Sequence, residues 1–164
     1  PGTDADFARF VLSGRYRAPV GEVWSLTVNG RAQTSFGAPL AVSEQFGLAS
    51  AREISPLDAG TLTGDSGWAL RGEFAREIVT EVAGRPFSLA PYAFAAAGAV
   101  YLEEPAAGER DETFASAFGV GVDLFAPFDD SFSNAALRIE LGRGMRDDDE
   151  DDQTALSIAA NYRF

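Results

Sequence analysis

The chain has 164 residues, a formal net charge of -12, and neither histidine nor cysteine. Those two absences remove thiolate and imidazole metal sites, a Ser-His-Asp triad and a Cys-His dyad, and an acidic chain without a basic stripe is no nucleic-acid binder. No apolar run approaches the roughly 18 residues that a membrane-spanning helix needs, while Phe (13 residues) and Gly (17 residues) are abundant.

Period-two alternation, the mark of a half-exposed strand, recurs in seven segments. In the first, 7–18, Phe10, Leu12, Gly14, Tyr16 and Ala18 oppose Arg9, Ser13, Arg15 and Arg17, and a tight turn follows at 19–22. In the second, 23–36, Trp24, Leu26 and Val28 oppose Ser25, Thr27, Asn29, Arg31 and Gln33. A long connection, 37–66, separates it from a third at 67–80, where Trp68, Leu70, Phe74 and Ile78 stand against Arg71, Glu73 and Glu77. The fourth, 87–101, is so rich in alanine that its faces stay open. A charged connection at 103–112 leads to the fifth, 113–125. There Phe114, Phe118, Val120, Val122 and Leu124 face away from Ala117, Gly119, Gly121 and Asp123. In the sixth, 134–144, Leu137, Ile139 and Leu141 oppose Arg138 and Glu140. An acidic connection, 145–153, reads as a solvated loop, since it lacks the glycine and spacing of a calcium loop.

The last segment, 154–164, alternates without a break: Thr154, Leu156, Ile158, Ala160, Tyr162 and Phe164 share one face. A soluble edge strand of this kind invites aggregation. A strand with lipid on one face and a polar lumen on the other needs this pattern and about 9–11 residues. Connections also alternate between short (19–22, 81–86, 126–132) and longer, more charged ones (37–66, 103–112, 145–153), as outer-membrane barrels alternate periplasmic turns and external loops. The fold expected is therefore all-β, an antiparallel transmembrane β-barrel, with Trp24, Trp68, Tyr16, Tyr101 and Tyr162 at interface depth. Seven strands do not close by themselves under the even-number pattern. With a first residue other than Met and no signal peptide, the expectation is that 1–164 is the C-terminal portion of a barrel domain whose earlier strands lie upstream.

Ser43, Glu44, Gln45 and Phe46, then Ala51, Arg52, Glu53 and Ile54, then Gly64, Asp65, Ser66, Gly67 and Trp68 with Glu73 downstream, resemble the two-partner secretion transporters. These are the haemolysin secretion/activation proteins, whose superfamily includes the barrel-assembly proteins. The likeness continues through residues 94–98, Gly119 and Gly121, and the terminal Tyr162 and Phe164. It implies that the seven segments match the last strands of a 16-stranded barrel. It further implies an outer-membrane pore that passes an unfolded partner exoprotein to the cell surface, with no cofactor and no enzymatic activity. Its partners would be the secreted cargo, outer-membrane lipid and, through the C-terminal strand, the barrel-assembly machinery.

By the same resemblance, Arg52, Glu53, Gly64, Asp65 and Gly67 form a loop motif that folds back into the lumen. Arg71, Glu73, Asp123, Arg138 and Glu140 would line that lumen, either as a hydrated path or as a ladder of wall ion pairs. Tyr162 and Phe164 would carry the insertion signal. Two positions depart from the family pattern: Glu53 replaces a glycine, and Ala96 replaces the aspartate that faces the loop arginine. A guanidinium in a narrow lumen needs a carboxylate, so Arg52 is expected to pair with Glu53, Glu73 or Asp123, or to stay solvated in a wide lumen. The same architecture also serves barrel-assembly factors, and a soluble all-β binding module is the remaining reading. Glu73 and Glu77, four apart, carry too little to indicate a glycosidase pair.

Overall fold

The computed structural model describes residues 7–50, 53–58, 60–82, 84–127, 133–148 and 150–163. In chain order the strands are β1 (Phe10–Val20), β2 (Trp24–Thr34), β3 (Phe46–Gly47), β4 (Thr63–Gly64), β5 (Ser66–Arg76), β6 (Ile78–Val82), β7 (Arg85–Tyr101), β8 (Glu112–Pro127), β9 (Asn134–Arg146) and β10 (Gln153–Arg163), with a 3-10 turn at Val42–Glu44. The protein is all-β. One antiparallel sheet runs β1-β2-β5-β7-β8-β9-β10, β6 continues β5 along β7, and β3 pairs only with β4. Each neighbour in the large sheet is the next long strand in the chain, so short turns gather at one end and long connections at the other. Among the described residues no ladder joins β1 to β10.

The third expected strand is interrupted at Glu77, between β5 and β6. The Ala75–Tyr92 and Ile78–Leu89 pairs place Pro91 of β7 at the gap, and proline has no N–H to give to the ladder. On its other side Glu77 stays in register with β2, its N–H donating to the Val23 carbonyl at 2.8 Å. The fourth strand, whose faces its alanines concealed, turns Tyr92, Phe94, Ala96 and Val100 to the buried side and Ala93 and Ala95 to the exposed side.

The distribution of side chains inverts that of a water-soluble sheet. An antiparallel sheet with one wet face normally buries its apolar side and exposes its polar one. Here the large apolar residues lie uncovered, in central strands as well as at the edges: Leu70 is 51% exposed, Val120 58%, Leu141 50% and Ile158 65%. The opposite face, carrying Ser25, Thr27, Gln33, Arg71 and Glu140, is buried.

What covers that polar face is the connection between β2 and β5. It contributes Leu40, Phe46, Leu48, Ala49, Ile54, Leu57 and Leu62, all buried, and most of them pack in one cluster with Ala69, Phe94, Ala96, Ala115 and Ala117 of the sheet. Glycines make the room. A Cβ on Gly67 would lie 2.5 Å from the Phe46 ring, one on Gly142 2.7 Å from Pro56, and one on Gly144 2.6 Å from Leu57. Small residues on the wall and large ones on the loop are complementary halves of one interface.

Candidate functional site

The buried face concentrates its charge where four neighbouring strands present side chains on one side of the pleat. β5 supplies Arg71 and Glu73, β7 Tyr92 and Phe94, β8 Asp123, and β9 Arg138 and Glu140. Register aligns them: Glu73 stands opposite Phe94, Tyr92 opposite Gly121, Gly121 opposite Glu140, and Asp123 opposite Arg138. Gly119 and Gly121 leave space for the Phe94 and Tyr92 rings, which a Cβ at either glycine would strike.

The expected lumenal residues join in one continuous network. Arg138 Nε and Nη2 donate to both oxygens of Asp123, at 2.7 and 2.9 Å, while Nη1 and Nη2 reach Glu73, each at 3.2 Å. Arg71 Nε donates to Glu73 Oε1 at 2.8 Å and Nη2 to Glu140 Oε2 at 2.5 Å. The Tyr92 hydroxyl donates to Glu140 Oε2 at 2.6 Å. Arg71 lies over the Phe94 ring at 3.8 Å and Arg138 over Tyr92 at 4.7 Å. The Arg71 side chain has no solvent exposure. Its desolvation is offset only because two carboxylates and an aromatic face surround it.

The covering loop is tied into this network through Ser55. The Ser55 hydroxyl donates to Glu140 Oε1 and accepts from Arg71 Nη1, the latter at 2.9 Å. Two residues earlier, the Glu53 carboxylate sits 2.9 Å from Arg31 Nε. The Arg31 guanidinium caps the Phe46 ring at 4.3 Å and donates to the Gly47 carbonyl.

A second clamp closes the loop's return. Asp65 is 2% exposed. Its Oδ1 accepts from the Leu40 N–H at 2.8 Å and Gln45 Nε2 at 3.3 Å, and its Oδ2 accepts from the Glu103 N–H at 2.9 Å. One carboxylate thus joins the start of the loop to the next long connection. Gly64, just before it, lies so close to the Tyr101 backbone that a Cβ would sit 2.7 Å from the carbonyl oxygen. An Asp65→Asn change sets an amide donor against a backbone donor. It is expected to cost about 1–3 kcal/mol, read as a lower denaturant midpoint at unchanged slope.

Arg52 and Phe164 lie outside the described residues. The three carboxylates expected to receive Arg52 are engaged elsewhere: Glu53 by Arg31, Glu73 by Arg71 and Arg138, and Asp123 by Arg138. Ala96 stands opposite Arg71 in the ladder. The buried guanidinium of the described residues is therefore a wall residue, and the loop meets it with a hydroxyl and a carbonyl. Tyr162 is exposed on β10, opposite Ala135. Ser55 and the inward Tyr92 were not legible as site residues, although one signal was present. Tyr92 and Phe94 are two apart in an alanine-rich strand, and Gly119 and Gly121 are two apart in the next.

In this arrangement both oxygens of Glu73 and of Glu140 accept from an arginine or a hydroxyl. That is the chemistry of an anchor. No protein family, no curated protein and no solved structure matches this chain.

Proposed function

We propose that this chain forms part of the wall of an outer-membrane β-barrel that passes an unfolded exoprotein to the cell surface, with the 37–66 connection as its gate. The observation that carries the membrane part is the inverted sheet: a continuous apolar face left bare and a charged face roofed by the chain's own loop. In water such a face is a large exposed apolar patch; against hydrocarbon it is the required surface.

Two further features support the reading. Trp24 stacks on Phe74 at 4.8 Å toward the short-turn end, and Trp68 lies 6.4 Å from Phe114 toward the long connections, as two interfacial belts require. The outermost strands, β1 and β10, also run in the same direction, because five long strands alternate between them. All-antiparallel closure then takes an odd number of additional strands, giving the even total usual for such barrels. The transport role rests on the resemblance carried by Ser43, Phe46, Gly64, Asp65 and Trp68. The loop occupies the polar face through a buried apolar cluster and through Ser55 on Arg71 and Glu140, so gating requires that whole interface to open.

Two measurements separate the parts of this proposal. In mild detergent the protein should migrate faster on a gel unheated than boiled, and a detergent-free monomer with no such shift removes the membrane assignment. A strain lacking the protein should retain its exoprotein in the cell, and undiminished export removes the transport role alone.

A further inference from the structure

Beside the anchored loop the polar face keeps an open trough of about 650 Å³, bordered by β1, β2, Glu53, Glu73 and Arg138. That volume falls within the usual range of small-ligand sites, about 300–1,000 Å³. On its strand side, Arg15 stands directly opposite Asn29 and Ser13 opposite Arg31, so four donor-bearing side chains form one contiguous patch.

The trough's charges divide into committed and uncommitted groups. Glu73 faces Arg71 and Arg138, and Glu53 faces Arg31. Arg138 spends its donors on Asp123 and Glu73. Arg15, Asn29 and Ser13 have no side-chain partner among the described residues. The neighbouring arginines of β1 differ: Arg9 is paired with Glu44 and Arg17 with Glu77. In a chain of net charge -12, the trough thus offers one free guanidinium, an amide and a hydroxyl, and its bordering carboxylates are turned to their own cations.

We propose that this trough binds a small oxyanion, a carboxylate or phosphate group, on the Arg15 fork with Asn29 and Ser13 completing its shell. A planar guanidinium takes two oxygens of such a group at once, which a point charge does not. The site does not depend on what lies against the sheet's outer face, so it stands or falls apart from the membrane assignment.

The test is a titration of the full chain with inorganic phosphate at low, constant ionic strength, followed by NMR at the Arg15 Nε–H and the Asn29 side-chain amide, with acetate as the carboxylate arm. Both resonances should move saturably. Arg15→Gln should weaken binding at least about tenfold, equivalent to roughly 1.4 kcal/mol. Arg15→Lys should fall between, and Arg17→Gln should bind as the unaltered protein does. Arg15 is exposed, so the amides of β8 should keep their shifts in each variant. Absence of saturation, unchanged affinity in Arg15→Gln, or an equal loss in Arg17→Gln overturns the site.

Discussion

Val120→Arg is expected to destabilise the protein in phospholipid vesicles by about 2–4 kcal/mol, the cost of an arginine at the midplane of a barrel's lipid face. Val120 is 58% exposed, midway along β8, between Ala93 of β7 and Leu141 of β9. It touches no part of the buried network, so no core contact is lost by changing it. For a sheet surrounded by water the same substitution belongs among surface changes, usually within about 0.5 kcal/mol, and it would improve solubility. One substitution therefore yields opposite outcomes for the two environments. The measurement is urea unfolding and refolding of both forms in vesicles, compared through midpoint and slope. A neutral result there means that lipid does not face β8.

Much of the sheet was legible because alternation is a local property. Leu137, Arg138, Ile139, Glu140 and Leu141 declare their faces without reference to any other strand. The long strands, the side presented by each except the alanine-rich fourth, and the alternation of short and long connections follow from such runs. What stayed hidden depends on partners distant in sequence. The break at Glu77 comes from Pro91 in the neighbouring strand, which nothing within 67–80 announces. The β3–β4 ladder has two residues on each side, too few for any period to appear. The seating of the loop is a matter of complementarity, with Phe46 against Gly67 and Leu57 against Gly144. A glycine in a strand looks alike whether it accommodates a ring or simply weakens the strand.

The site shows the same division. Arg71, Glu73, Asp123, Arg138 and Glu140 were identifiable as one face, because each is a charge within an alternating segment. Which of them is buried was not, because burial is created by a loop whose docking is non-local. The family resemblance pointed to Arg52, which lies outside the described residues, as the group in need of a carboxylate. Among the described residues, the guanidinium without solvent exposure is Arg71 of the wall, between Glu73 and Glu140. Ala96 across from it is then physically reasonable, since a fourth carboxylate there would add like charge to a cluster already holding two arginines and three acids.

Removing that guanidinium should therefore be the most damaging single change on the polar face. Arg71→Met keeps much of the stem volume and strips the cation from between two carboxylates. Breaking one side of a buried ion pair typically costs about 3–5 kcal/mol, because the remaining charge stays buried without compensation. Glu73 would retain Arg138, and Glu140 would retain only the hydroxyls of Tyr92 and Ser55. The strain thus falls on Glu140, the same residue that holds the loop. Lower stability should come with faster proteolysis within 37–65. Neutralising Glu140 as well should return part of the loss, since directly contacting groups couple by about 0.5–3 kcal/mol. Arg71→Met combined with Glu140→Gln is accordingly expected to be more stable than Arg71→Met alone. If the two losses simply add, or if Arg71→Met costs less than about 1 kcal/mol as an exposed pair would, the loop is held by its apolar contacts with the glycine-lined wall and the charges are not its anchor.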